Sequence, residues 1–230
     1  MRAPLQFQPV EEEGYERGFK CIAGLDEVGR GPLAGPVVAA AVILPRGYRH
    51  WRIKDSKLLT ASQRESLAPV IKQDAVSWGL GVVEVQEIDR INILKASLLA
   101  MAKAFQSLRP VPDFLLIDGS QTIPEEFLNS DEVPRSQPQQ RTIVKGDRLS
   151  LSIAAASILA KVARDALMVE LDKIYPEYGF ARHKGYGSKA HLESLRRYGP
   201  SPIHRKSFKP VRELCENNAT QQERTLFAKG

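Results

Sequence analysis

Residues 21–44 read CIAGLDEVGRGPLAGPVVAAAVIL, and this stretch decides the fold. An apolar run, residues 21–26, ends in a carboxylate, and a second run, residues 35–44, is rich in β-branched residues and ends before Pro45. The glycines and the proline between the two runs are typical of a turn that joins two strands. The stretch therefore predicts a pair of strands, with Asp26 and Glu27 at the end of the first.

The segments that follow alternate between helix and strand patterns. Thr60 and Gln63 form a capping box, which predicts a helix through about residue 72. Apolar spacing predicts a helix over 87–108, and an alanine-rich run predicts a long one over 149–171. We further expect strands at 76–85, 114–117 and 141–145, a surface loop with room for a short helix at 121–140, and a basic helix at 189–197. This order predicts an α/β fold with a mixed sheet.

The composition fits one domain. The chain has 230 residues, of which 43% are hydrophobic and 26% charged, and this is enough for one α/β core. We expect a flexible leader over 1–18, one folded domain over 19–212 that includes a helical C-terminal part, and a polar tail over 213–230. No apolar run is long enough to span a membrane, and the two cysteines lie too far apart for a metal motif. A cytoplasmic protein with reduced thiols is the prediction.

The positive charge is concentrated late in the chain. The formal net charge is +6, and between residues 182 and 209 there are eight lysines and arginines against a single glutamate. Such a segment is what a phosphate-binding surface requires. A solvated helix face followed by a basic loop would have the same composition, so the charge alone leaves both interpretations open.

Four acidic residues stand where a structural role is hard to supply. Asp26 and Glu27 end the first strand, Asp118 follows the apolar run FLLI, and Asp147 precedes the alanine-rich helix. Ligands bind at strand ends of open α/β sheets, and clustered carboxylates need a bridging cation such as Mg²⁺ or Mn²⁺. The structural alternatives are an N-cap for Asp147, which is the commoner role, a turn for Asp118 and a solvated charge for Glu27.

Asp26 and Glu27 pose a local problem, because adjacent residues of a regular strand point to opposite faces of the sheet. Either the strand breaks at Glu27, which Gly29 and Gly31 would permit, or Glu27 contributes partly through its backbone carbonyl. We expect a break.

Five segments of the chain together resemble ribonuclease HII, the type 2 ribonuclease H of bacteria and archaea. They cover most of residues 20–210, and a match of that length and order is highly specific. The segments are GLDEVGRGPLAGPVVAAAVIL (24–44), DSKLLTASQRESL (55–67), LLIDG (115–119), IVKGDRLSLSIAAASILAKVARD (143–165) and YPEYGFARHKGYGSKAHLESLRRYGPSPIHRKSF (175–208). The GRG motif favours ribonuclease HII over ribonuclease HIII.

The resemblance implies a ribonuclease H-like fold: a five-stranded mixed sheet flanked by helices, with a helical C-terminal part. Asp26, Glu27, Asp118 and Asp147 match the family's catalytic acids, which would bind two Mg²⁺ or Mn²⁺ ions. The implied activity is hydrolysis of the RNA strand of RNA–DNA hybrids, and cleavage 5′ to single ribonucleotides in duplex DNA, giving a 3′-hydroxyl and a 5′-phosphate. The alternative from another class is a nucleic-acid-binding module without catalysis.

The resemblance also implies substrate contacts. Gly29, Arg30 and Gly31 match the motif that contacts the ribonucleotide 2′-hydroxyl, although two glycines would equally serve a structural turn. Tyr186 matches the tyrosine that packs on the sugar at an RNA–DNA junction, although an isolated GYG is more often a plain loop. Lys57 and Lys184 resemble phosphate contacts, and their structural alternative is a solvated lysine. Ser188 and Lys189 would extend a backbone clamp.

Two regions lie outside the closest match. The stretch 124–140 looks longer than the usual connection of the family. In the tail, Gln222, Leu226 and Phe227 resemble the peptide by which bacterial repair proteins dock on the sliding clamp, although the apolar pair would also suit folding back onto the domain. A monomer is expected from the family alone.

Overall fold

A computed structural model describes residues 10–53, 56–129 and 137–216 of the chain. The strands are β1 (Ile22–Val28), β2 (Val37–Ile43), β3 (Ser77–Val83), β4 (Phe114–Asp118) and β5 (Gln139–Ile143). They form one sheet in the order β3-β2-β1-β4-β5. The β1–β2 and β2–β3 pairs are antiparallel, whereas the β1–β4 and β4–β5 pairs are parallel. The predicted five-stranded mixed sheet is therefore confirmed.

Helices cover both faces of this sheet and form the C-terminal part. They are α1 (Val10–Glu16), α2 (Ala61–Asp74), α3 (Val85–Ile91), α4 (Ile93–Gln106), α5 (Glu125–Leu128), α6 (Leu151–Ile174), α7 (Phe180–His183) and α8 (Lys189–Tyr198), and residues 209–216 are also helical. The capping box of Thr60 and Gln63 at the start of α2 is confirmed. Within the described parts of the chain, no helix has the length and apolar character needed to cross a membrane.

The two long apolar helices lie on opposite faces of the sheet. Helix α6 packs against β1 and β2, and α4 packs against β2 and β3. Because side chains alternate along a strand, Leu25 joins the core on the α4 side while its neighbour Gly24 lies against α6. A Cβ at Gly24 would lie 2.3 Å from the backbone nitrogen of Ile153, so glycine is what allows the start of α6 to approach β1.

The predicted helix over 87–108 is divided at Asn92 into α3 and α4. Asn92 has a φ of 69°, and its side-chain oxygen accepts hydrogen bonds from the backbone N–H groups of Leu94 (3.0 Å) and Lys95 (3.2 Å). This positive φ is uncommon for a residue with a side chain, and it interrupts the helix, while the asparagine caps the helix that follows. The apolar spacing continues through the break, which is why the pattern predicts a single helix.

The N-terminal segment differs from the flexible leader predicted over residues 1–18. Residues 10–16 form α1, and Val10 is buried. The Glu11 carboxylate accepts hydrogen bonds from the Ser150 hydroxyl (2.7 Å) and from the Ser152 backbone N–H (2.9 Å) and hydroxyl (2.8 Å). A negative charge at the start of α6 is favourable, because the helix dipole is positive there. Residues 1–9 lie outside the described residues, and the boundary at residue 19 stays a prediction.

The connection between β4 and β5 contains a short helix, as the sequence allowed. Helix α5 follows Pro124, and the strand predicted at 141–145 is placed two residues earlier, as β5. Lys145 adopts a left-handed φ of 60°, which ends the extended run. Residues 130–136 lie outside the described residues, so the expected extra length of this connection stays a prediction.

Candidate active site

Three neighbouring strands bring the four predicted acids to one edge of the sheet. Asp26 and Glu27 lie near the end of β1, and Asp118 is the last residue of β4. Asp147 lies in a single turn of 3-10 helix, Gly146–Arg148, that follows β5. Since β1, β4 and β5 are parallel, their carboxyl ends meet at the same edge, where open α/β sheets bind ligands.

A hydrogen bond joins the β4 acid to the turn that carries the last acid. The Asp118 Oδ1 accepts the backbone N–H of Gly146 at 2.7 Å, and Asp147 itself is only 3% exposed. The N-cap of α6 is Ser150, whose hydroxyl accepts the N–H of Ile153 at 3.2 Å. The alternative interpretation of Asp147 as the helix cap is therefore wrong, and its burial among acids needs another explanation.

The predicted strand break at Glu27 is wrong. Strand β1 continues through Val28, and Glu27 pairs with Ala39 of β2 in regular register. The Asp26 Oδ1 instead accepts the backbone N–H of Glu27 at 2.7 Å, so its carboxylate folds back over the end of its own strand. The Glu27 carboxylate is held by the Arg30 guanidinium, with Oε1 and Nη1 3.2 Å apart. The Asp26 and Glu27 carboxylates are therefore directed by their side-chain conformations and hydrogen bonds, without the break in the strand that was expected.

The electrostatics show that the four carboxylates share one site. Burial raises the pKa of Asp26 well above its usual range, and the negative charges of Glu27, Asp118 and Asp147 raise it further. Burial also raises the pKa of Glu27, against the opposing effect of the Arg30 guanidinium, and the Asp118 charge adds to the increase. The Asp26 carboxyl is thus close enough to the other three acids for their charges to act on it, although they lie on β1, β4 and the turn after β5.

The donor set suits a divalent cation, although the carboxylates are not gathered into a chelate. Among the described residues, no three acidic, histidine or cysteine side chains are grouped closely enough to hold an ion as they stand. Protein donors occupy them: Asp26 and Asp118 accept backbone N–H groups, and Lys57 Nζ lies 3.7 Å from Asp147 Oδ2. Carboxylate oxygens are hard ligands of the kind that Mg²⁺ or Mn²⁺ prefers.

The two glycines of the GRG motif have different surroundings. Gly29 has a φ of 98°, and a Cβ there would lie 2.3 Å from Arg164 Nε and 2.9 Å from the Pro36 carbonyl oxygen. A Cβ on Gly31 would meet only the Tyr186 ring, at 3.6 Å. Gly29 therefore serves the turn, as the structural alternative held, whereas Gly31 leaves its backbone open beside an aromatic ring.

The structure brings Tyr186 to the GRG motif, as the predicted substrate surface requires. The Tyr186 ring is 44% exposed and lies next to Gly31, although the two are far apart in sequence. Tyr186 lies in a turn between α7 and α8, and the carbonyl of Gly185 in the same turn accepts the N–H of Leu33 at 2.8 Å. An exposed aromatic ring beside an open backbone is a surface on which a sugar or base can pack.

Two buried arginines hold this surface together, and the sequence analysis assigned a role to neither of them. Arg205 donates hydrogen bonds to the carbonyls of Gly29 (2.6 Å), Arg30 (3.0 Å) and Gly35 (2.8 and 3.0 Å). A single guanidinium thus binds the carbonyls of Gly29 and Arg30 and that of Gly35, which lies six and five residues further along the chain. Burial, followed by the nearby Arg164 charge, lowers the pKa of Arg205 to about 9. Counting Arg205 in a basic surface was wrong, because it is 0% exposed.

Arg164 is the second of these arginines and lies in the middle of α6. It donates to the carbonyls of Ala34 (3.2 Å), Pro36 (2.9 Å) and Lys184 (3.0 Å), and it is also fully buried. It thus ties the β1–β2 loop to the turn before Tyr186. The available signal was the single arginine of an alanine-rich helix, at a position that is buried in the fold, because a buried charge needs several hydrogen-bond partners.

The remaining predicted contacts lie around this surface. The Lys184 carbonyl binds Arg164 and its ammonium donates to the Ala181 carbonyl, while its backbone adopts a φ of 52°. The Ser188 hydroxyl caps α8 by accepting the His191 N–H at 3.2 Å. The Lys189 side chain is exposed, with its Nζ 3.9 Å from a Glu193 carboxylate oxygen. Their contacts with phosphate stay predictions.

The chain is similar to known proteins over most of its length. A family model described as Ribonuclease HII matches residues 23–211. A ribonuclease HII of Syntrophus aciditrophicus is 55% identical over 199 residues, which are 86% of this chain and 89% of that protein. The crystal structure of ribonuclease H2 from Pyrococcus horikoshii OT3 is similar with a TM-score of 0.69 and 29% identity, over 86% of this chain and 98% of that one. A structure of the PCNA:RNase HII complex from Archaeoglobus fulgidus has a TM-score of 0.62 and 25% identity, over 81% and 94%.

The crowding of acids generates a prediction about stability. Because the folded-state pKa of Asp26 is raised, folding is favoured while Asp26 is protonated, and this contribution is lost as the pH rises through the folded pKa. Asp26→Asn should therefore raise the melting temperature in EDTA at neutral pH, by roughly 2–4 °C for each kcal/mol of repulsion removed. The gain should shrink as the pH falls toward about 4, where the unfolded carboxyl titrates.

Thermal melts over a pH series would measure this effect, with Glu193→Gln on the exposed face of α8 as the control. Equal melting temperatures for Asp26→Asn and the wild type at every pH would contradict the electrostatic account.

The two glycines generate a second prediction. Gly29→Ala should destabilise the protein by about 1–3 kcal/mol, because alanine is strained at positive φ and its Cβ meets Arg164. Gly31→Ala should change the free energy of unfolding by less than about 0.5 kcal/mol, as for an unhindered surface position. Urea unfolding of both variants gives the comparison, and similar losses for the two would refute the division of roles.

Proposed function

Because the chain belongs to the ribonuclease HII family and is a ribonuclease H endonuclease, we propose that it cuts the RNA strand of RNA–DNA hybrids and cuts duplex DNA on the 5′ side of an embedded ribonucleotide. The observation that carries this proposal is that Gly31, which lies beside the exposed Tyr186 ring, directly follows Arg30, whose guanidinium pairs with Glu27. The end of β1 would thus contribute to the acidic centre, and the GRG motif that follows β1 would provide a surface for a sugar.

The four carboxylates are the proposed catalytic residues. Asp26, Glu27, Asp118 and Asp147 would hold two Mg²⁺ or Mn²⁺ ions, in agreement with the oxygen donors and the raised pKa values of Asp26 and Glu27. Bound divalent ions would activate a water and neutralise charge on the scissile phosphate, so that the products are a 3′-hydroxyl and a 5′-phosphate. Arg30 is exposed beside Glu27, where its charge would attract the phosphate.

Recognition of RNA is proposed to depend on the GRG motif and Tyr186. Gly31 has no side chain over its backbone, so a ribose can approach closely, and contact with the 2′-hydroxyl distinguishes RNA from DNA. The Tyr186 ring beside it would pack on the sugar next to the ribonucleotide. Lys57, near Asp147, and Lys184, in the turn before Tyr186, would contact phosphates on either side.

The alternative function, a nucleic-acid-binding module without catalysis, does not account for the four acids. Four negative charges at the surface that meets the substrate would repel phosphate. The negative charges of Glu27, Asp118 and Asp147 act on the buried Asp26 and, after burial, raise its pKa, which supports the view that holding these acids together is unfavourable. A catalytic role explains why the acids are kept together, and a binding role does not.

The proposal includes a cellular setting. Removal of ribonucleotides and of RNA primers would place the protein, as a monomer, in DNA replication and repair in the cytoplasm. The tail residues Gln222, Leu226 and Phe227 lie outside the described residues. Their proposed role in binding a sliding clamp is supported by their sequence pattern and by the Archaeoglobus fulgidus neighbour, which was solved as a complex with PCNA.

A cleavage assay tests the activity. A labelled DNA duplex with one ribonucleotide should be cut once, 5′ to that ribonucleotide, with Mg²⁺ or Mn²⁺ and not in EDTA. Asp26→Asn should lower the rate at least about 100-fold, as expected when a group that organises the reaction centre is lost. An all-DNA duplex is the substrate control. No cut at the ribonucleotide, together with cleavage of a long hybrid, would overturn the single-ribonucleotide activity and leave the nuclease.

The role of Tyr186 has its own prediction. Tyr186→Ala should lower kcat/KM on the single-ribonucleotide duplex by roughly 5- to 150-fold, the range expected for loss of one stacking contact, and should affect a continuous hybrid less. Tyr198→Ala, at a comparably exposed tyrosine of α8, is the matched control. Equal losses on both substrates would refute a junction-specific role.

The tail has a separate test. Deletion of residues 222–230 should weaken binding to a sliding clamp, measured by surface plasmon resonance, without slowing cleavage of a short duplex. Unchanged clamp affinity after the deletion would end the proposal.

A further inference from the structure

Three of the four histidines of the chain are grouped directly behind the Tyr186 turn. His191 in α8 and His204 in the following loop are buried, and their Nε2 atoms are 3.0 Å apart. The ring of His183 stacks on that of His191, with centroids 4.5 Å apart. None of these residues was predicted to have a function, and none belongs to the acidic centre.

The hydrogen bonds determine which nitrogen of each ring carries the proton. The backbone N–H of Ser201 donates to His204 Nδ1 at 2.9 Å, so this nitrogen accepts and the His204 proton lies on Nε2. His191 Nδ1 lies 2.9 Å from the Tyr186 carbonyl oxygen, which can only accept, so the His191 proton lies on Nδ1. The His204 Nε2–H therefore donates to His191 Nε2, and the chain of donors ends at Tyr186.

Burial keeps this pair of rings neutral. It lowers the pKa of His204 to about 4, and it also lowers the pKa of His191. A neutral His204 that donates from Nε2 leaves His191 only one arrangement, with its own N–H directed at the Tyr186 carbonyl. The tautomer of the second ring is thus set by the first.

The backbone of Tyr186 depends on few other contacts. The Tyr186 N–H donates to the His183 carbonyl at 2.9 Å, and its carbonyl also accepts the Ser188 N–H at 2.8 Å. These bonds are internal to residues 183–188, whereas the bond from His191 fastens the turn to α8. The exposed ring of Tyr186 has Gly31 as its neighbour on the substrate side, so the placement of the ring follows the placement of this backbone.

We propose that His191 is a positioning residue for Tyr186, with His204 fixing its tautomer, and that it sets the preference of the enzyme for single ribonucleotides over continuous hybrids. This inference rests on the proposed role of Tyr186 at the junction. The four carboxylates lie on other elements, so a displaced Tyr186 turn leaves the acidic centre in place. His191 acts through the Tyr186 carbonyl and does not itself reach the substrate surface.

Two amide substitutions at His191 separate positioning from packing. His191→Asn places an amide N–H where Nδ1 stood and keeps a donor for the Tyr186 carbonyl, but it loses the contact with His204. His191→Gln places its amide where Nε2 stood and keeps the contact with His204, but it loses the donor to Tyr186. Each variant forfeits one buried hydrogen bond, so their effects on folding should be alike.

The measurement is the ratio of kcat/KM on a single-ribonucleotide DNA duplex to kcat/KM on an RNA–DNA hybrid of equal length, for the full chain with Mg²⁺. His191→Gln should lower this ratio by about tenfold, within the range of one stacking contact, and His191→Asn should keep it within about twofold of wild type. When His191→Gln is combined with Tyr186→Ala, the ratio should be no lower than for Tyr186→Ala alone, because the effects of substitutions at coupled residues are not additive.

Equal ratios for the Gln and Asn variants would overturn the inference while leaving the role of Tyr186 intact. A Tyr186→Ala variant with an unchanged ratio would instead overturn the proposed role of Tyr186, and this inference with it. If His191→Gln does not fold, His204→Gln, which keeps a donor at the position of Nε2, should keep the wild-type ratio. His204→Leu, which has no such donor, should lower the ratio, and equal ratios for these two variants would also overturn the inference.

Discussion

The repulsion between buried carboxylates is the constraint on which the rest of this structure depends. Asp26 is buried beside the charges of Glu27, Asp118 and Asp147, and burial alone already raises its pKa. Such a group is costly unless donors or a cation compensate it. Each carboxylate has a donor or a positive charge nearby. Backbone N–H groups donate to Asp26 and Asp118, the Arg30 guanidinium binds Glu27, and the Lys57 ammonium lies near Asp147. The site is thereby stable enough to fold and charged enough to attract a divalent ion.

A second framework, built from two buried arginines, supports the substrate surface. Arg164 and Arg205 direct every one of their hydrogen bonds described above to backbone carbonyls of residues 29–36 and 184. A planar guanidinium carries five donors on three nitrogens and can bind more widely spaced carbonyls than a lysine, whose three donors share one nitrogen. The two arginines therefore hold the GRG motif and the Tyr186 turn in place. Together with the histidine pair, they connect the proposed recognition surface to buried residues of the domain.

Much of this arrangement could be predicted from sequence. Apolar runs ending in Asp26 and Asp118 indicate buried strands with carboxylates at one edge, and the alanine-rich run indicates α6, because these patterns are local. The break at Asn92 could not be found from spacing, since apolar residues repeat on both sides of it. Arg205 could not be distinguished from its exposed basic neighbours, because burial is decided by elements far away in the chain. The conformation of Asp26, folded back on its own backbone, is equally invisible in a strand pattern.

The sequence by itself determined the family, the α/β class and the four candidate acids. These could be recognised because strand ends, capping residues and motif spacing are patterns of residues close together in the chain. Only the tertiary structure decided that Gly29 serves the turn while Gly31 faces Tyr186, that Ser150 and not Asp147 caps α6, and that His191 fastens the recognition turn. The contacts of Gly29 with Arg164 and of Gly31 with Tyr186 join segments far apart in the chain, whereas the Ser150 cap and the His191 bond depend on side-chain and backbone conformations that a sequence pattern does not specify. A one-dimensional pattern specifies which residues are available, and packing specifies which of them meet.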